Sequence, residues 1–183
     1  MSTATHASPS LNRLAFSATV HCLTGCAIGE VAGMVVGTAL GWSNGATVAI
    51  SVALAFVFGY SLTSVPLVRA GLALAVVAPI AFASDTLSIA VMEVVDNAIV
   101  LAVPGALEAG LGDVLFWGSL AFALPVAGAA AFPVNRRLIA RGRGHAAVHR
   151  TGIHGGPPPA LVGAIAAAGF VFGAVVLAAE LLG

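Results

Sequence analysis

Apolar residues in this chain come in long runs: residues 16–40, 46–67, 71–104, 114–134 and 160–182 are each predominantly apolar, with short polar or glycine-rich breaks between them. A helix needs about 20 apolar residues to cross the hydrocarbon core of a bilayer, and every run reaches that length. The pattern predicts an all-α fold, a polytopic membrane bundle of about five transmembrane helices. It forms a single integral membrane domain over 16–183, behind a short cytoplasmic tail at 1–15. The third run is too long for one crossing, since a helix of that length extends about 51 Å against a core of about 30 Å. It is read as a span at 84–104, with 71–83, which contain Pro79, as an interfacial or re-entrant piece. Residues 135–159 are expected to form a basic, histidine-containing cytoplasmic loop.

Composition agrees with that solvent. The chain is 60% hydrophobic and 8% charged, with a mean hydropathy of +1.07, where a soluble domain is about 25% charged. The placement of charge sets the orientation. Every basic residue is an arginine: Arg13 before the first run, Arg69 between the second and third, and Arg136, Arg137, Arg141, Arg143 and Arg150 between the fourth and fifth. With five spans these segments share one side of the membrane, and the positive-inside rule places that side, with the N-terminus, in the cytoplasm. Two crossings in 71–104 would split the arginines between sides, so one crossing is preferred. The expected location is the bacterial cytoplasmic (inner) membrane. The first residues lack a basic n-region and a small-residue cleavage site, so no removable signal peptide is expected.

Several function classes are set aside by what the chain lacks. There is no nucleotide-binding glycine loop, GxSxG elbow or kinase signature, and no catalytic residue is assigned. Nucleic acid is not an expected partner, because membrane orientation accounts for the arginines and no aromatic residues are interleaved with them.

In the first run glycine recurs every fourth residue, at Gly25, Gly29, Gly33, Gly37 and Gly41. Glycine costs a helix about 1 kcal/mol relative to alanine. In lipid, however, helices associate by close backbone approach, which small residues four apart permit. The row is read as a helix-packing groove, with Gly163, Ala167, Ala168 and Gly173 of the last run as one surface it can receive. Beside it run Cys22, Cys26, Glu30 and Met34, with His21 at the cytoplasmic end. The third run carries a matching face: Asp85, Ser88, Met92, Glu93, Asp96 and Asn97 fall within about half a helical circumference. A carboxylate in mid-span costs at least about 2.5 kcal/mol on insertion scales. No basic residue lies in any run, so these carboxyls must be protonated, hydrated or bound to a cation.

Thiol, thioether, imidazole and carboxylate are donors for transition metals, the sulfurs favouring Cu(I) and the imidazole and thiolate suiting zinc or copper. Counted from the cytoplasmic ends, Cys22 and Cys26 match Asp85 and Ser88 to Met92 in depth, and Glu30 lies within a turn of Glu93. The expected site is a cation path between the first and third spans, lined by His21, Cys22, Cys26, Glu30, Asp85, Met92, Glu93 and Asp96. His145 and His149, four apart, with His154 beyond them, have a spacing that would hold a metal if the first part of the loop is helical, and are the candidate accessory site. A disulfide between Cys22 and Cys26 is not expected on one straight helix.

The string "HCLTGCAIGE", the block "SIAVMEVVDNAIVLAVPGALEAGLGD" and the following "FWGSLAFALPVAGAAAFPVNRRLIARGRGHAAVH" resemble an uncharacterised bacterial multi-pass membrane family, domain of unknown function 4396, over most of residues 20–150. The resemblance implies a membrane location and assigns no residue a role. A thematic likeness to mercuric ion transport proteins rests on a cysteine pair in the first span. The expected function is binding or passage of a copper- or zinc-class cation. Its alternatives are a membrane thiol redox protein using Cys22 and Cys26, and a non-catalytic subunit that binds another membrane protein or a second copy of itself.

Overall fold

In a computed structural model, which describes residues 10–153 and 157–182, the chain forms six helices. They are α1 (Leu11–Ala39), α2 (Asn44–Arg69), α3 (Leu74–Ala102), α4 (Val114–Ala140), the short α5 (Ala146–Thr151) and α6 (Pro159–Leu182). No strand occurs among the described residues. All but α5 are long and apolar enough to cross a membrane.

Local chemistry explains several boundaries. Ser10 and Ser43 cap α1 and α2 by accepting from the Arg13 and Ala46 amides, each at 3.4 Å, and Asp113 caps α4 by accepting from Leu115 at 2.9 Å. The turns at 40–43 and 70–73 each contain a glycine with positive φ, Gly41 at 65° and Gly71 at 90°. Connections this short make α1, α2 and α3 successive antiparallel neighbours.

Some boundaries differ from the sequence expectation. Residues 11–15 belong to α1, drawn out of the expected tail by the Ser10 cap. Residues 71–83 do not stand apart from 84–104, because α3 is one helix of 29 residues with Pro79 inside it. Pro79 lies in the second turn, where its missing N–H forfeits one bond and leaves the following turns intact. Helix α4 runs past residue 134 to Ala140, so Arg136 and Arg137 extend its last turns before the loop begins.

Packing centres on α1, which contacts α2, α3, α4 and α6. Its glycine row meets small residues of α2, also four apart. A Cβ on Gly25 would lie 2.6 Å from the Cα of Gly59, one on Gly29 would meet the Ala55 backbone, and those on Gly33 and Gly37 would meet Ser51 and Thr47. The surface suggested on the last run is divided: Gly163 of α6 faces Phe16 of α1, away from the glycine row, while Gly173 sits against Gly118 and Phe122 of α4, and Phe122 stacks on Phe170 with centroids 5.0 Å apart. Gly41 is not a packing residue. It lies past the end of α1 with no atom near its missing Cβ.

The protein is apolar outside and keeps a set of polar and acidic side chains inside, among apolar ones. Val57, Leu74, Phe82, Val94, Leu101, Val171 and Val175 are exposed, while Glu30, Asp85, Ser88, Glu93, Asp96 and Asn135 are buried. That inversion, on helices of this length, defines a multi-pass membrane protein whose exposed side chains face lipid. The arginines of α2 and α4 and of the following loop gather at one end, and Trp42 and Trp117 lie toward the other.

An odd number of crossings gives a topology test. A reporter inserted between Gly142 and Gly144 is expected in the cytoplasm and one fused after Gly183 outside, because only α6 separates them. Paired cytoplasm-active and periplasm-active reporters read this directly, and activity of both on the same side would remove α6 from the membrane.

Candidate functional site

The buried polar residues form a line along the bundle, starting at the arginine-bearing end. There a cavity of about 260 Å³ is lined by Ser17, His21, Thr63, His145 and His149, together with the prolines at 157–159. His21 projects from α1 and its Nε2 lies 2.9 Å from Thr63 Oγ1 of α2. His145 stands immediately before α5, and its Nδ1 lies 3.1 Å from Asp85 Oδ1 of α3. One ligand atom each from His21, Asp85 and His145 falls within 4.8 Å of the others. The two imidazole centroids are 5.0 Å apart, in an edge-to-face arrangement.

Local structure holds His145 there. After α4 the chain turns through Gly142 and Gly144, both at positive φ, and Ser84 of α3 donates to the Gly144 carbonyl at 3.3 Å. The loop is thereby tied to α3 one residue before His145. His149 lines the same cavity, with its ring centroid 6.1 Å from that of His145. His154 lies outside the described residues.

The next rungs lie between α1, α3 and α4. Cys22 Sγ is 3.8 Å from Asp85 Oδ1. Asn135 of α4 donates to Thr19 of α1 at 3.0 Å and to Ser88 of α3 at 2.9 Å, so one amide pins three helices. Each such bond contributes about 1 kcal/mol, and removing the amide would untie α4 from both α1 and α3, leaving Thr19 only its bond to the Ala15 carbonyl. Deeper, Cys26 Sγ lies 4.0 Å from Met92 Sδ, and both cysteines are buried free thiols.

The line continues into three carboxyls. Cys26 faces Glu93, and Glu30 faces Asp96. Apart from those contacts, both oxygens of Glu30, both of Glu93 and Oδ1 of Asp96 lack a hydrogen-bond partner. His145 and Asp85 form an acid–base pair at 3.1 Å, and among the described residues no arginine lies within 4 Å of the deeper carboxyls to neutralise them. Burial without a donor or counter-charge is costly for a carboxylate, so these positions call for protons or a cation.

The cysteine and carboxyl rungs were read from the sequence, and α1 and α3 meet in the register that depth from the helix ends implies. Sequence reasoning placed His145 only with His149 and His154, whereas the chain brings it to His21 and Asp85. It also missed Thr19, Thr63, Asn135 and Ser119. Of these Asn135 carried a signal, a lone amide just ahead of the arginine pair, overlooked because the apolar run ends at residue 134.

Fold and site together define the class: a multi-pass helical membrane protein whose interior carries a line of thiol, imidazole and carboxyl groups. The chain belongs to the family Domain of unknown function (DUF4396), which matches residues 12–144, from the first turn of α1 to the residue before His145. No curated protein and no solved structure matches the chain.

Proposed function

We propose that this protein binds a transition-metal cation of the copper or zinc class and passes it along the polar line between α1 and α3, in the bacterial cytoplasmic membrane. The observation that carries the reading is the convergence of His21, Asp85 and His145, from three separate elements, to within 4.8 Å beside an accessible cavity. Two imidazoles and a carboxylate, with the Cys22 thiol next to that carboxylate, make a mixed donor set suited to zinc. Farther in, Cys26 and Met92 bring two sulfurs together, a pairing suited to Cu(I). The metal is cargo, and the carboxyls beyond it offset its charge in a medium without water. The alternative of thiol redox chemistry is less well supported, because Cys22 and Cys26 each face a different partner on α3.

The test is metal content by mass spectrometry after growth with copper and zinc, together with metal flux in reconstituted vesicles. Cys22→Ser with Cys26→Ser is expected to remove most soft metal, since thiolates dominate affinity for it. Glu93→Gln with Asp96→Asn is expected to slow flux while leaving metal bound near His21. A parent protein that carries no stoichiometric copper or zinc, in vesicles that move none, would sink the proposal.

A further inference from the structure

The half of the line nearer the arginine-free end is built from different atoms. Beside Glu30 and Asp96 lies a cavity of about 50 Å³, whose other polar residues are Ser51, Asn97 and Ser119. Its side chains offer carboxylate, hydroxyl and amide oxygens, with the Met34 thioether as the single sulfur and no imidazole. Glu30 is 5% exposed and Asp96 4%, their carboxyls lie within hydrogen-bond reach of each other, and three of their four oxygens find no donor outside that pair.

Ser119, on α4, supplies an independent observation. It is 2% exposed and lines this cavity, and its Oγ has no partner. A helical serine or threonine in an apolar setting ordinarily bonds the carbonyl four residues back, as Thr24 and Ser61 do at 2.8 and 2.6 Å. Ser119 forgoes that bond and lines the cavity together with Glu30 and Asp96. A water needs about 10–15 Å³ of such space, so the cavity admits a small ion with a water or two and excludes an organic ligand.

We propose that this cavity is a second cation site, holding a hard alkali or alkaline-earth ion by oxygen alone. Carboxylate and hydroxyl oxygens select hard cations, as the imidazole and sulfur groups at the other end select borderline and soft ones. A wider cavity of about 310 Å³ shares Met34, Val48 and Leu107 with this one and extends to Asn44 and Glu108. The site therefore lies beside a cavity at the arginine-free end, on the side away from His21 and Cys22. The site stands whether or not the copper or zinc reading holds.

The test uses the full-length protein in mild detergent at fixed pH and ionic strength, with choline chloride exchanged for NaCl in one arm and CaCl₂ added in the other. Unfolding midpoint and titration heat are both read. One of the two ions is expected to raise the midpoint saturably, and the arm that responds identifies it. Ser119→Ala is expected to raise the half-saturating concentration about tenfold, and Glu30→Gln, or Asp96→Asn if the former does not fold, to abolish the response. Without the ion, Ser119→Ala should be as stable as the parent or more so, since it removes an unpaired buried hydroxyl. A purely structural serine would instead lose stability under both conditions. His21→Ala with His145→Ala should bind the hard ion as the parent does, which keeps this result separate from the metal assay. The proposal is overturned if neither ion gives a saturable shift, if Ser119→Ala and Glu30→Gln respond as the parent does, or if only pH moves the midpoint, which would mean that the carboxyls share a proton.

Discussion

Gly29→Leu is expected to abolish the packed bundle. The first atom of any side chain there would land on the backbone of Ala55, at the middle of the α1–α2 seam. Backbone cannot rotate away as a side-chain tip can, so the two helices must separate along their length. Overpacking a core ordinarily costs about 1–3 kcal/mol. Here the cost is greater, because separation also forfeits the close contacts that replace the hydrophobic effect between helices in lipid. The measurement is the unfolding midpoint and the monodisperse yield in mild detergent, with Gly45→Leu as the control. A Cβ at Gly45 meets nothing within 4 Å, so the control should match the parent. If Gly29→Leu also matches the parent, α1 and α2 do not pack through this row.

The second large effect is expected at the histidine end. His21→Ala with His145→Ala should lower affinity for copper or zinc by more than about 100-fold, since loss of an outer-shell partner alone costs about 10- to 100-fold. Asp85→Asn should be nearly as damaging, because it removes the charge between His145 and Cys22 while keeping the side chain's shape. His149→Ala, at the cavity wall, should cost less. Competition titration against a chromophoric chelator gives the ranking. Equal affinities for the parent and the double histidine variant would place any bound metal elsewhere in the molecule.

Much of this architecture was legible from periodicity and depth. Run length set the helices, and the distance of each polar residue from its helix end placed Cys22 near Asp85 and Cys26 near Met92. Four-residue spacing marked Gly25 to Gly37 as a seam, but spacing on one helix says nothing of its partner. The complementary row on α2 is Gly59, Ala55, Ser51 and Thr47, and its hydroxyl residues disguise it. The pairing of His145 with His21 was beyond local reasoning, since it depends on two left-handed glycines turning the loop back over the bundle and on the Ser84 bond that fixes it. The continuity of α3 through Pro79 is hidden for another reason: run length compared with bilayer thickness does not bound a helix, which is free to extend beyond the hydrocarbon.

The order of the helices along the chain has a consequence for biosynthesis. The acidic face of α3 must enter the bilayer before the ribosome has made Asn135 or His145, the residues that later bond Ser88 and pair with Asp85. Each carboxyl raises the insertion cost by a few kcal/mol. The α1–α2 hairpin, closed by the turn at 40–43 and its glycine seam, is already in place, with Cys22, Cys26 and Glu30 on the flank that α3 will cover. That hairpin is a reception surface for the arriving helix. A nascent chain that has not formed the hairpin would present three carboxyls to bare lipid, and its third helix would be the one the insertion machinery rejects.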